Sequence, residues 1–282
     1  MLKLYGKALA GATVLPVARK LPGVSTPREL PSRELSRDDV EVDREHLAAY
    51  DRVCGFRLRD ELPATYPHMV AFPLAMELMT DTSFPFPVMG LVHIANRIDL
   101  LEPMTASQPF SVRVWAADLA DHDRGRQFQI HAEAAVGESV AWRSSSTYLH
   151  RSGGGGNGKK ERSEQEPPKG GHAVWSVPGD IGRRYAGVSG DRNPIHMHPV
   201  TAKLFGMKAP IAHGMWTKAR CLAALESELP ETYSVDVRFK LPIFLPAKVA
   251  FDASRSNGGW EFSVTGAKDG KPHLAGEVAD SR

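Results

Sequence analysis

The chain has 282 residues, 42% hydrophobic and 24% charged, which excludes general disorder and allows one large domain or two modest ones. Its net charge of +2 supplies no broad basic field, so nucleic acid is not an expected partner. Two cysteines, Cys54 and Cys221, make neither a disulfide framework nor a C-x-x-C zinc pattern, so a reducing, cytoplasmic setting is expected.

No run approaches the ~20 apolar residues that span a bilayer, and no membrane partner is expected. At the N-terminus, Ala8–Ala18 lies between Lys3, Lys7 and Arg19-Lys20 but is interrupted by Gly11, Thr13 and Pro16. It falls short of a secretion signal and reads as a leading strand or a loose arm. Asp43–Val53 predicts a short helix, with Leu47, Ala48 and Tyr50 at helical spacing among charges. A Pro-rich passage, Leu62–Pro67, precedes a longer helical run, Met69–Met79, which Pro85 and Pro87 close off. Alternating strands follow at Val92–Leu100, Phe110–Trp115, Gln127–Ala132 and Ser139–His150.

Ser152–Gly171 contains no apolar side chain larger than proline, so it reads as a mobile linker. It divides the chain into 1–151 and 172–282. The second half repeats the first: a strand start at Trp175, a helical turn at Asp180–Tyr185 and a long helix at Ala212–Leu229. Strands are expected at Tyr233–Leu241, Ala247–Ala253, Trp260–Thr265 and from Leu274 onward. The expected fold class is α+β, a duplicated unit with one long helix per antiparallel sheet. Two such sheets can join edge to edge and remove an exposed edge from each.

The chemically informative stretch is Tyr185–His196, containing Gly190-Asp191-Arg192-Asn193-Pro194-Ile195-His196. Ser189-Gly190-Asp191 and Asn193-Pro194 are turn chemistry, able to hold a carboxylate and an imidazole at a set separation. Such a pair can act as acid and base. The bland alternative is that Asp191 caps a turn and His196 lies at the surface.

Gly-Asp-x-Asn-Pro-x-His, preceded by Tyr185 and followed by a helix bearing His213-Gly214, resembles the MaoC-like hydratases, also called hydratase 2 or (R)-specific enoyl-CoA hydratases. The resemblance is detailed over about Arg183–Leu225, and in pattern it covers the chain as a double hotdog. It implies hydration of trans-2-enoyl thioesters, or dehydration of (R)-3-hydroxyacyl thioesters, on coenzyme A or acyl carrier protein. By motif position it implies that Asp191 and His196 activate water while Asn193 orients them. Gly214, at the helix start, is the candidate oxyanion donor through its N–H. His213 is expected to touch substrate. No cofactor and no metal are implied, and a homodimer of double-hotdog chains is allowed.

The first half lacks this string. Ala71-Phe72-Pro73 is expected to stand where the second half has Ala212-His213-Gly214, and Pro73 has no N–H to donate. That half is therefore expected to be non-catalytic and to house the acyl chain, with Phe72, Met76, Met79 and Phe84 as candidate lining against a plain core role. Three rival readings stay open. They are a metal site built from Asp191, His196, His198 and His213, a non-catalytic acyl-binding protein, and a hotdog thioesterase. Lys203, Lys208 and Lys218 could meet a phosphate, although each reads first as a solvated surface lysine.

Overall fold

A computed structural model describes residues 28–151, 171–256 and 258–280. The N-terminal arm and the linker expected at 152–171 lie outside the described residues, except that Gly171 already begins a strand.

Strand β1 (Leu35–Val40) leads to helix α1 (Arg44–Cys54). Asp43 caps α1 by accepting from the N–H groups of Glu45 and His46 at 2.9 and 3.4 Å. Leu47, Tyr50, Asp51 and Cys54 form its buried stripe at helical spacing. Helix α2 (Tyr66–Met79) is apolar almost all round, as suits a helix with a sheet wrapped about it. It absorbs Tyr66-Pro67 from the Pro-rich passage, since a proline in the first turn needs no N–H.

Four strands follow: β2 (Leu91–Leu100), β3 (Phe110–His122), β4 (Gly125–Val136) and β5 (Ser139–Arg151). The second half runs β6 (Gly171–Val177), α3 (Ile181–Ser189), α4 (Pro194–Met197), α5 (Pro199–Leu204) and α6 (Gly214–Leu225). It ends with β7 (Tyr233–Phe239), β8 (Ala247–Ser256), β9 (Gly259–Gly266) and β10 (Pro272–Asp280). Several strands run longer than their alternating cores, because hairpin pairing carries the backbone beyond the half-buried residues.

All ten strands form one antiparallel sheet in the order β1-β3-β4-β5-β2-β7-β10-β9-β8-β6. The halves mirror each other across β2 and β7, which pair from Ala95 opposite Arg238 to Leu100 opposite Tyr233. Each half-sheet thus gives its open edge to the other, leaving β1 and β6 outermost. This is the double-hotdog arrangement expected. One continuous apolar core includes Met76 and Phe128 of the first half with Leu222 and Val264 of the second.

The alignment of the two helix starts needs correction. Leu62 N–H bonds to Met104 O at 2.8 Å, and Ala212 N–H bonds to Ile243 O at 3.0 Å. The bridges Glu61–Thr105 and Ile211–Phe244 mark the same joint in each half. Leu62-Pro63-Ala64 is therefore the counterpart of Ala212-His213-Gly214, and Pro73 lies inside α2. An apolar run locates a helix but not its first turn, and for that reason Pro73, in mid-helix, reads as a helix start from sequence. Pro63 occupies the place of His213, and Gly55–Thr65, between α1 and α2, contains no histidine.

Candidate active site

The site is built where α3 ends. Gly190 closes that helix at φ 72°, and its N–H returns to Ala186 O at 3.1 Å. The next residues hold each other locally. Asp191 N–H donates to Ser189 Oγ at 3.2 Å, and Asn193 N–H donates to Asp191 Oδ1 at 3.1 Å. Asn193 Oδ1 accepts from Ile195 N–H at 3.3 Å and so caps α4, the short helix that carries His196. Asn193 thereby fixes both members of the pair, one through its N–H and the other through its cap.

His196 is 9% exposed, and its Nδ1 lies 2.8 Å from Ile211 O. A carbonyl only accepts, so the proton sits on Nδ1 and the lone pair on Nε2. Burial pushes the pKa of His196 below the usual histidine value, while Asp191 and the bond to Ile211 oppose the shift. The result is a neutral imidazole with a defined basic nitrogen.

His213 caps the start of α6 and is 3% exposed. Its Nε2 donates to Asp191 O at 3.0 Å and lies 3.8 Å from Asp191 Oδ2. Its ring stacks on His196 with centroids 3.6 Å apart and planes 25° apart. Burial, then His196, lower its pKa to about 3, so it too is neutral. Gly214 is the first residue of α6, and its N–H has no carbonyl within the helix to bind. A Cβ there would lie 2.9 Å from the Phe239 ring, so glycine lets that ring cover the helix start.

Asp191, His196 and His213 offer donor atoms within 4.8 Å of one another. Stacked imidazoles direct their in-plane lone pairs along nearly parallel planes rather than toward one point. That geometry suits proton transfer better than tetrahedral metal binding.

A MaoC like domain matches residues 164–269. The 3-hydroxyacyl-thioester dehydratase X of Mycobacterium tuberculosis is 37% identical over 280 residues, which is 98% of this chain and 97% of that protein. The chain belongs to the MaoC-like dehydratase family. A crystal structure of HtdX from the same organism superimposes with a TM-score of 0.78 at 36% identity, covering 88% of this chain and all of that one. An (R)-specific enoyl-CoA hydratase of Aeromonas caviae is 30% identical over 92 residues, 31% of this chain and 62% of that protein.

In this MaoC-like chain the first half reaches the site through residues that sequence reasoning missed. His46, on α1, places Nε2 2.9 Å from Val188 O and Nδ1 3.1 Å from the Tyr66 hydroxyl, bracing α3 from across the molecule. Phe239, which covers Gly214, packs 4.9 Å from the His93 ring, and His93 stacks on Tyr148 at 4.7 Å. Burial, then His68 and Lys218, hold the pKa of His93 at about 3, opposed by Asp191. Burial, then Lys218, bring His68 to about 4, again opposed by Asp191.

His68 and Tyr148 open a narrow pocket between α2 and the first-half strands. Phe72 lines it, together with Ala71, Ala75 and Ile130. Met76 and Met79 do not line it. They are 2% and 3% exposed and belong to the core, as does Phe84.

Lys218 overturns its surface reading. It is fully buried, and its Nζ donates to Asn96 O, Asn96 Oδ1 and Val235 O at 3.0, 2.6 and 3.1 Å. It stitches α6 to both central strands and is not a phosphate contact. Burial pulls its pKa well down, opposed first by Asp236 and Asp99. Among the described residues, no helix is long and apolar enough to cross a membrane.

The state of His196 gives a testable pH dependence. The neutral imidazole is the working form, and its pKa in the folded protein is lowered. Activity is therefore expected to hold through pH 6.5 and to fall only below it, as His196 protonates. A kcat/KM profile with its acid limb centred above pH 7 would contradict this assignment.

Proposed function

We propose that this chain interconverts trans-2-enoyl and (R)-3-hydroxyacyl thioesters as a hydro-lyase, with one active site per chain at the junction of the halves. The observation that carries the reading is a neutral His196, locked with Nε2 as its basic nitrogen, beside Asp191 and the N-terminus of α6.

Water is held between Asp191 and His196. His196 Nε2 accepts a water proton as the oxygen bonds to C3, and the C2–C3 π electrons move toward the thioester carbonyl. The enolate oxygen receives the Gly214 N–H, reinforced by the positive end of α6. C2 then takes a proton from the Asp191–His196 pair, which restores the neutral imidazole. Dehydration runs the same steps in reverse.

The division of labour is 1–151 for acyl accommodation, 152–171 as linker and 172–282 for chemistry. Pro63 in place of His213 and the lack of a buried Asp–His pair between α1 and α2 support it. The narrow pocket on α2, lined by Phe72, His68 and Tyr148, supports an acyl tail that runs into the first half. The carrier is coenzyme A or acyl carrier protein, in a cytoplasmic setting where the buried Cys54 and Cys221 remain thiols.

Purified protein is expected to hydrate crotonyl-CoA and a longer 2-enoyl-CoA to the (R)-3-hydroxy product. A tight substrate analogue is expected to titrate one site per chain. Absence of hydration, or an (S) product, would sink the reading.

A further inference from the structure

The pocket beside α2 has two unlike walls. Its helix side is made by Ala71, Phe72 and Ala75 together with the His68 ring. Its sheet side joins apolar Val114, Ile130 and Ala132 of β3 and β4 to the inward positions Ser144, Ser146 and Tyr148 of β5. The serines are 3% and 2% exposed. Asn96, fully buried on neighbouring β2, donates from Nδ2 to both serine Oγ atoms at 3.0 Å. The orientation of that amide is set from behind, because Asn96 Oδ1 accepts from the Lys218 ammonium. Each serine oxygen is thus used as an acceptor, and each O–H remains to be donated. Among the described residues neither hydroxyl has an acceptor, and the open space beside them is the pocket.

The fold needs Asn96 as the acceptor of buried Lys218 and the serine oxygens as acceptors of the Asn96 amide, but it makes no use of the serine O–H groups. When the halves are aligned on the Glu61–Thr105 and Ile211–Phe244 bridges, Asn96, Ser144 and Ser146 fall at the positions of Val235, Gly276 and Val278. The second half therefore packs its helix over apolar side chains and a glycine where the first half places an amide and two hydroxyls. A plain alkyl tail laid against these hydroxyls would take them from water and leave them without an acceptor.

We infer that the acyl chain bound here carries an acceptor oxygen along its tail, of keto, hydroxyl or ether type, to which Ser144 and Ser146 donate. This deepens the acyl-thioester reading above and rests on it. Phe72 and its neighbours pack the methylenes, while the serines read the oxygen. A site built to hydrogen-bond a substrate group discriminates against the analogue that lacks it, because its own polar groups are then stranded.

The test uses wild-type protein and 2-enoyl-CoA thioesters of equal chain length. One has a plain alkyl tail, and in the others a keto oxygen is moved one carbon at a time toward the end. One position is expected to raise kcat/KM about tenfold over the alkyl compound, the size of a single net hydrogen bond. In Ser144→Ala/Ser146→Ala that ratio is expected to fall to about one. A wild-type preference for the alkyl tail, or equal rates at every position, would overturn the inference without any variant. A ratio unchanged in the double variant would overturn the role of the serines. Failure to hydrate even crotonyl-CoA would instead remove the underlying reading.

Discussion

Asp191→Asn and His196→Gln are each expected to lower kcat/KM for crotonyl-CoA by about 10²–10⁴-fold, the usual range for a lost acid–base group. Both changes are chosen to spare the local structure. Asparagine at 191 keeps an oxygen that can accept the Asn193 N–H, and the Asp191 carbonyl still receives His213 Nε2. Glutamine at 196 can still donate to Ile211 O but has no basic nitrogen to replace Nε2.

Thermal unfolding close to wild type is therefore the control, and the loss should fall mainly in kcat. Because the two groups act on one water, the double variant is expected to lose little more than the worse single one. Near-wild-type turnover in either single variant would remove that residue from the chemistry. Losses that simply multiply would indicate that the two do not act together.

This motif was legible in the sequence because its geometry is local. Gly190 in a left-handed C-cap, Asp191 binding the second N–H along, and Asn193 capping a helix that opens with Pro194 are all short-range events between near neighbours. The duplicated unit was legible for a similar reason, since alternation and helical spacing are properties of single segments. Pairings between distant segments were not legible. The resemblance already brings His213 to the motif, but its bond to Asp191 O and its stack on His196 arise only when α6 is laid beside α4.

Met76 and Met79 stood between pocket lining and plain core, because an apolar helix shows no inside or outside until its sheet is wrapped around it. Lys218 looked exposed because lysine usually is, and its three acceptors come from β2 and β7. One missed signal did exist. Ser144, Ser146 and Tyr148 break the apolar inward face of β5 at a spacing of two. That break marks the pocket wall.

Gly214→Pro is expected to reduce kcat by about 10²–10³-fold relative to Gly214→Ala, the cost of removing one oxyanion donor. Gly214 is the first residue of α6, where proline is at home, and the His213 backbone is already extended at ψ 138°, as a residue before proline requires. Proline therefore removes the N–H while leaving the helix start intact. Both variants add the same Cβ, which lies 2.9 Å from the Phe239 ring and obliges that ring to shift. Alanine therefore reports the Cβ contact alone, and the difference between the two reports the loss of the N–H together with the proline Cδ that takes its place on the nitrogen. The enolate charge develops only as the reaction proceeds, so the difference should appear in kcat with KM nearly shared. Equal losses in the two variants would mean that Gly214 serves only to let Phe239 approach, and the oxyanion donor would have to be sought elsewhere.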